Sequence, residues 1–311
     1  MAERKEHYLE KKISRTVEKE DDGRCLQSFL RGRLGLTQKE ISRAKFRDDG
    51  ICVGGERRKV NAILHTGDCV EVLLETSEDT SGQLVSSLGE LCVLYEDADI
   101  IVADKPAGLV VHPTGAHYAD TLANRLAAYL RGRGEDSVIR ILGRLDRDTS
   151  GVVLAVKNRP AALRLERQRE CGIYRKTYLA LVKGEPNPPE GWILTPIAGD
   201  PLHRGKMKVD IQGKPARTHY EMLCSTESKD KSLVRLELQT GRTHQIRVHM
   251  ASIGHPLLAD PFYGEPDQEL KRTALHAGSL DFLQPFTGEK VHVEASLPKD
   301  FYSSLSSMGF L

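Results

Sequence analysis

The chain has 311 residues, 29% of them charged and 39% hydrophobic, with a formal net charge of +1. That length allows a sizeable core, in two domains by the usual size of one. The near-zero balance excludes a protein that is basic throughout, so any nucleic-acid surface must be local.

No apolar run is long enough to span a membrane. Met1-Ala-Glu-Arg-Lys-Glu-His7 is charged and does not read as a signal peptide. The six cysteines, at 25, 52, 69, 92, 171 and 224, are far apart and form no C-x-x-C. They read as buried thiols in a reducing cytoplasm, not as a disulfide set or a zinc site.

In chain order, residues 1–22 are polar, weakly periodic and expected to form a loosely docked arm. A small domain is expected over 23–74. Cys25, Leu26, Phe29 and Leu30 have helical spacing. Thr37 with Glu40 makes a capping box for a second helix carrying Ile41, Ala44 and Phe46. Asp48-Asp-Gly50 turns the chain into short strands, the last running to Leu74. Between Arg24 and Val60, ten Lys and Arg stand against four Asp and Glu. Residues 75–90, with four serines, two glycines, four acids and no basic residue, read as a linker.

The remainder, 91–311, reads as a second domain. Cys92–Tyr95 and Ile100–Lys105 form an expected hairpin. Asp120 is the expected cap of a helix carrying Leu122, Ala123, Leu126, Ala127 and Leu130. Arg131 to Asp136 reads as a flexible loop. Then comes Gly143-Arg-Leu-Asp-Arg-Asp-Thr-Ser-Gly151, a charged loop between apolar flanks, followed by a strand over Val152–Val156. Alone, such a loop would read as a solvated turn with a local ion pair. Asn158 and Pro160 open a helix to about Glu170. Tyr174–Val182 alternates as a strand, with Tyr178, Ala180 and Val182 on one face. His203–Arg217 holds five Lys and Arg against one acid and reads as an exposed basic loop. Thr218–Ser225 and Ser232–Thr240 pair as a hairpin. Thr243 is the expected cap of a helix to Ile253 with Arg247 in its first turn, and two strands follow within 273–297.

Three stretches together carry a resemblance: Gly143-Arg-Leu-Asp-Arg-Asp-Thr-Ser-Gly151; Lys176-Thr-Tyr-Leu-Ala-Leu-Val-Lys-Gly184; and Gly241-Arg-Thr-His-Gln-Ile-Arg-Val-His-Met250 with Gly254-His-Pro256. Asp104-Lys-Pro-Ala-Gly108 and Val111-His-Pro113 support them. In this order they resemble the pseudouridine synthases that include the ribosomal large-subunit synthases A and D. The small domain resembles the RNA-binding module first described in ribosomal protein S-four. Such modules present a basic face to structured RNA, where phosphates supply most of the affinity.

The resemblance implies an α+β fold with a mixed, mainly antiparallel central sheet and a cleft across its middle. It implies isomerisation of uridine to pseudouridine, which needs no redox change, no energy input and so no cofactor or metal. Asp146 aligns with the nucleophilic aspartate, Arg144 with the arginine entering the RNA helix, Tyr178 with the tyrosine stacking on uracil, and Arg247 with the partner of the nucleophile. Arg242 and His244 are added as substrate-binding residues. Gly143 stands where many members carry histidine, and Asp148 is assigned to tying down the loop.

Asp146 must be ionised to act, at carbon 6 of the ring, at the anomeric carbon or as a base at ribose. Arg247 has two donors able to meet both of its oxygens. His244, His249 and His255 lie at spacings of five and six, which do not stack on a helix face, so they read as structural or RNA-contacting. The implied partner is RNA, ribosomal in the first instance with transfer RNA as the alternative, bound by a cytoplasmic monomer with no membrane contact. Two rivals are a non-catalytic RNA-binding assembly factor on the same fold, and a carboxylate glycosidase. The second needs another positioned carboxylate, and only Asp148 is near in sequence.

Overall fold

The computed structural model describes residues 9–76, 84, 87, 89–135, 139–267 and 269–310. The chain divides into two compact units between Gln83 and Leu84, with Pro285–Thr287 belonging to the first. Among the described residues no helix is long and apolar enough to cross a membrane.

The first unit contains β1 (Leu9–Thr16), a 3-10 turn at Lys19–Asp21, α1 (Leu26–Gly32), α2 (Gln38–Ala44), β2 (Ile51–Val53), β3 (Glu56–Arg57) and β4 (Cys69–Thr76). Its antiparallel sheet has the order β1-β4-β2-β3. Phe29, Leu30, Ile41 and Val72 fill the core under the two helices. The Thr37 capping box is present: Glu40 N donates to Thr37 Oγ1 at 3.1 Å and Thr37 N to Glu40 Oε2 at 2.7 Å.

Three expectations for this unit are corrected. Residues 9–16 are a strand, paired with β4 from Leu9↔Thr76 to Thr16↔Cys69, and not a loose arm. Ile13 and, just past the strand, Val17 join the core, and the partner strand lies far along the chain, so local periodicity is weak. Phe46 lies beyond α2 and is 78% exposed instead of joining its apolar face. Residues 75–76 belong to β4 instead of the linker; residues 77–83, which were also placed in that linker, lie outside the described residues.

The second unit contains β5 (Cys92–Glu96), β6 (Ile100–Lys105), α3 (Leu122–Gly132), β7 (Arg140–Leu142), β8 (Ser150–Val156), α4 (Arg159–Glu170), β9 (Arg175–Lys183), β10 (Glu190–Ile193), β11 (Ile197–Gly199), β12 (Met207–Val209), β13 (Thr218–Ser225), β14 (Lys231–Leu238), α5 (Gln245–Ser252), β15 (Leu275–Leu283), β16 (Lys290–Glu294) and α6 (Lys299–Ser307). Its main sheet has ten strands. Eight run in the order β10-β13-β14-β9-β15-β8-β6-β5, with β16 on β15 and β7 on β8. All pairs are antiparallel except β15 with β8, where His276 faces Ser150 and Ala277 faces Gly151.

This parallel seam lies at the middle of the sheet, and the charged loop enters it. Gly151 makes the seam possible: it has φ +110, and a Cβ there would meet Ala277 O at 2.1 Å. β8 is buried along its whole length, which fixes where the loop before it ends.

Several local expectations change. α3 is capped by Thr121, which accepts from Asn124 N, while Asp120 bonds to His117 instead. Arg131 and Gly132 are helical, and Arg133 and Glu135 join an ion network with Glu96 and Lys157 rather than a free loop. The basic stretch 203–217 is not wholly loop, since β12 within it pairs with β11. β10, β11 and α6 were not anticipated. No cysteine is buried: Cys69, Cys92 and Cys171 are exposed, the other three are half-buried, and all six are free.

Candidate active site

The loop 143–149 runs from β7 to β8 and is held from below through its own carbonyls. Lys105, at the end of β6 and fully buried, donates to Pro106 O, Leu109 O and Arg147 O at 2.8–2.9 Å. Three ammonium donors thus meet three carbonyls. Burial pushes the lysine down to about 7, against the pull of Asp148. Arg272, clamped by Asp300, donates to Asp148 O at 3.0 Å. The Asp148 carboxylate itself bonds to its neighbour Arg147. The tying-down assigned to Asp148 is therefore carried by Lys105 and Arg272. Gly143 has φ +78, a conformation free of strain only without a side chain.

Asp146 lies half-buried at the centre of this loop. Arg247, the third residue of α5, donates from Nη1 to Asp146 Oδ2 at 3.1 Å. Its bidentate partner is another carboxylate. Nε and Nη2 of Arg247 reach the two oxygens of Asp260 at 2.6 and 2.7 Å, and Asp260 is 1% exposed. The expectation that Arg247 meets both oxygens of Asp146 is corrected on this point. The guanidinium is shared, with its fork turned to Asp260 and one arm to Asp146. Burial works against its charge, but the bonds from Asp260 and the nearness of Asp146 win, so its pKa is raised.

His244 precedes α5 in the left-handed region, at φ 54. Its Nε2 is 3.9 Å from Asp146 Oδ2 and its Nδ1 is 3.1 Å from the Tyr263 hydroxyl. Burial lowers its pKa, with Asp146 opposing, so the ring is neutral near pH 7. Thr243 does not cap the helix. The turn is closed by Gln245, whose Oε1 accepts from Arg242 N at 2.9 Å and Thr240 Oγ1 at 2.8 Å. Arg242 donates from Nε to Pro215 O at 2.9 Å.

Tyr178 comes from β9 and is 6% exposed, and burial raises its pKa. Arg144 is exposed at the rim. Arg144, Asp146, Tyr178, Arg242, His244 and Arg247 all line one narrow crevice of about 40 Å³. It adjoins a cavity of about 520 Å³, with which it shares Asp146, and one of about 380 Å³, with which it shares Tyr178. The six residues come from four places in the chain: the 143–149 loop, β9, the turn after β14, and α5.

Sequence reasoning missed the segment Asp260-Pro-Phe-Tyr263. Phe262 stacks on His244, with centroids 5.5 Å apart, and the Arg247 guanidinium lies 5.5 and 5.3 Å from the Phe262 and Tyr263 rings. The Asp260 carboxylate also accepts from Phe262 N and Tyr263 N. An aspartate before proline and two aromatics was the available signal, but it has no periodicity.

His249 is buried between Thr218 Oγ1 and Thr195 O, and His255 bonds to Lys183 O. Among the described residues no group of His, Cys, Asp and Glu has the placement of a metal site.

A carboxylate held by an arginine and facing a tyrosine, in a crevice edged with further arginines, suits chemistry on a flat ring carried by a polyanionic chain. The pattern of the RNA pseudouridylate synthase family matches residues 99–252. YhcT, an uncharacterized RNA pseudouridine synthase of Bacillus subtilis (strain 168), is 37% identical over 284 residues, covering 91% of this chain and 93% of that protein. Ribosomal large subunit pseudouridine synthase D of Nitrosomonas europaea is 38% identical over 251 residues, covering 78% and 72%. The structure of human RNA pseudouridylate synthase domain containing 1 superposes with a TM-score of 0.54 at 29% identity, over 68% of this chain and 86% of that one.

The chain belongs to the RNA pseudouridine synthase family, in the branch that includes the ribosomal large-subunit synthases A and D. It is an isomerase that converts uridine to pseudouridine in RNA.

Proposed function

We propose that this enzyme isomerises specific uridines of large-subunit ribosomal RNA, with Asp146 as the nucleophile. The observation that carries the site assignment is the single bond from Arg247 Nη1 to Asp146 Oδ2. Among the described residues no hydrogen bond reaches Oδ1, so one carboxylate oxygen remains for the uridine. Relatives named ribosomal large subunit pseudouridine synthase D, at 35–40% identity, support the choice of RNA.

In this reading Tyr178 stacks on the flipped base, a contact worth about 1–3 kcal/mol. Arg144 fills the space the base leaves, and together they offset the few kcal/mol of unstacking. Arg242 and His244 contact the surrounding nucleotide. The reaction breaks the bond from N1 to the ribose and makes one from carbon 5, and the proton of carbon 5 leaves as N1 gains one. The product has the mass of the substrate. The first unit serves as an S-four-type RNA-binding module: its Arg31, Lys39, Arg43 and Lys45 are exposed on or beside the two helices. The protein acts as a cytoplasmic monomer.

The test is chemical mapping of pseudouridine in ribosomal RNA from cells with and without the gene, complemented by Asp146→Asn. One or more sites are expected to vanish and to return only with the unmutated enzyme. If no site vanishes and the purified enzyme modifies no ribosomal RNA, the substrate assignment is wrong. If Asp146→Asn restores the sites, the nucleophile is wrong.

A further inference from the structure

Two lysines are buried near the crevice, and they differ in one respect. All three donors of Lys105 are used. Lys176, on β9 and 9% exposed, makes one hydrogen bond, from Nζ to Val152 O at 2.9 Å. Among the described residues no carboxylate lies within 4.0 Å of it. An ammonium has three donors, and leaving two of them dry is costly in a protein interior. Burial alone pushes this lysine down to about 8. An anion reaching it would meet the two donors that the Val152 carbonyl leaves unused.

The place from which one can arrive is the 380 Å³ cavity, which Lys176 lines. That volume is in the range of small-ligand pockets. Strand alternation puts Lys176 on the same face of β9 as Tyr178, about 6.6 Å along the strand. Tyr174 continues that row and lines the same cavity. Arg144, Arg169 and Arg242 line it too, against a single acid, Glu166. Arg144, Tyr178 and Arg242 also line the crevice that holds Asp146, so the two spaces adjoin.

We propose that this cavity is a subsite for the nucleotide adjoining the target uridine, with Lys176 binding its phosphodiester and Tyr174 lying against its sugar or base. The inference rests on the RNA substrate argued above. It assigns to the enzyme a recognition element beyond the flipped base, built on the strand that carries Tyr178. A chain that places uracil over Tyr178 runs on past Lys176, a buried cation of this cavity with donors to spare.

Two measurements test this on the full-length enzyme with a ribosomal RNA transcript that it modifies. In the first, RNA affinity is followed against salt for the unmutated protein, Lys176→Met and Lys176→Gln. Loss of one phosphate contact should weaken binding about tenfold near 100 mM salt and reduce the slope of log K against log salt by about 1. In the second, the phosphates around the target are replaced one at a time by uncharged methylphosphonates. One position should weaken the unmutated enzyme and leave Lys176→Met or Lys176→Gln unaffected. Melting temperature separates the structural alternative, because removing a half-paired buried ammonium should leave it unchanged or higher.

An unchanged salt slope, or methylphosphonate effects that are the same in all three proteins, overturns the proposal. A fall in melting temperature with an unchanged slope assigns Lys176 to holding Val152 instead. Should Lys176→Met not fold, Lys176→Gln and the methylphosphonate series on the unmutated enzyme still decide. If the unmutated enzyme leaves ribosomal transcripts unmodified, the substrate assignment fails, and the same measurements on the RNA found by mapping decide about Lys176.

Discussion

Arg247 carries two carboxylates, and they are not equivalent. Asp260 is buried and takes the fork of the guanidinium; Asp146 takes one arm and faces the crevice. The fork anchors the cation, and the arm reaches the residue proposed to react. Removing the cation leaves Asp260 charged and dry. Arg247→Met should therefore cost about 3–5 kcal/mol of stability, read from urea unfolding, and Asp260→Leu added to it should recover much of that loss. If the single variant unfolds at the same urea concentration as the parent, the pair contributes nothing to folding. Asp146→Asn keeps the volume and the hydrogen-bonding oxygen, so it should fold normally while forming no pseudouridine. The motif residues Arg144, Asp146, Tyr178 and Arg247 were legible because each sits in a patterned stretch. Asp260 was not, because its meaning lies in whom it touches and not in what surrounds it in sequence.

At the scale of elements, the seam between β8 and β15 decides where the reactive loop points. The two strands run parallel, and at Gly151 the backbone of Ala277 leaves no room for a Cβ. Gly151→Ala would place a methyl group 2.1 Å from Ala277 O and force a strained φ of +110. The expected result is a loss of roughly 3 kcal/mol or more, with activity falling through misplacement of Asp146. Retained stability in thermal unfolding would mean that the seam can open without cost. Lys105 plays the complementary part from the end of β6, joining Arg147 O of the loop to Pro106 O and Leu109 O of the turn that follows β6. Lys105→Met would take this donor from Pro106 O and Leu109 O and leave Arg147 O with Gly108 N alone, at a cost of about 1–3 kcal/mol. Pseudouridine formation should drop more than RNA binding, because the loop loosens while the basic rim stays. Equal losses in both would assign Lys105 to the fold as a whole.

For the whole molecule, four histidines share one behaviour. His112, His244, His249 and His276 all have lowered pKa values, in each case chiefly through burial. Their unfolded value is about 6.5. As pH falls through that value the unfolded chain takes up protons first, so stability falls with acid and is complete only above about 6.5. The exposed His292, raised by Glu294 and Asp281, acts in the opposite sense but is screened by solvent. Urea midpoints should be lower at pH 5 than at pH 7.5. A midpoint that holds or rises on acidification would show that these rings are protonated in the folded state without cost.

Sequence by itself determined what is local. The period of Tyr178 in β9, the cap at Asn158, the capping box at Thr37 and the charged loop between apolar flanks depend only on neighbours a few residues away, and they read correctly. It also carried the family, because three motifs in order are more specific than any one. The tertiary structure alone decided what depends on distant partners. β1 exists because β4 offers an edge. Thr121 caps α3 ahead of Asp120 because His117 takes the aspartate. The loop is tied by Lys105 and Arg272 instead of Asp148, and Arg247 turns its fork to Asp260. In the last three cases several side chains of suitable chemistry compete for one partner. The winner is set by where the sheet brings them, which no short window of residues contains.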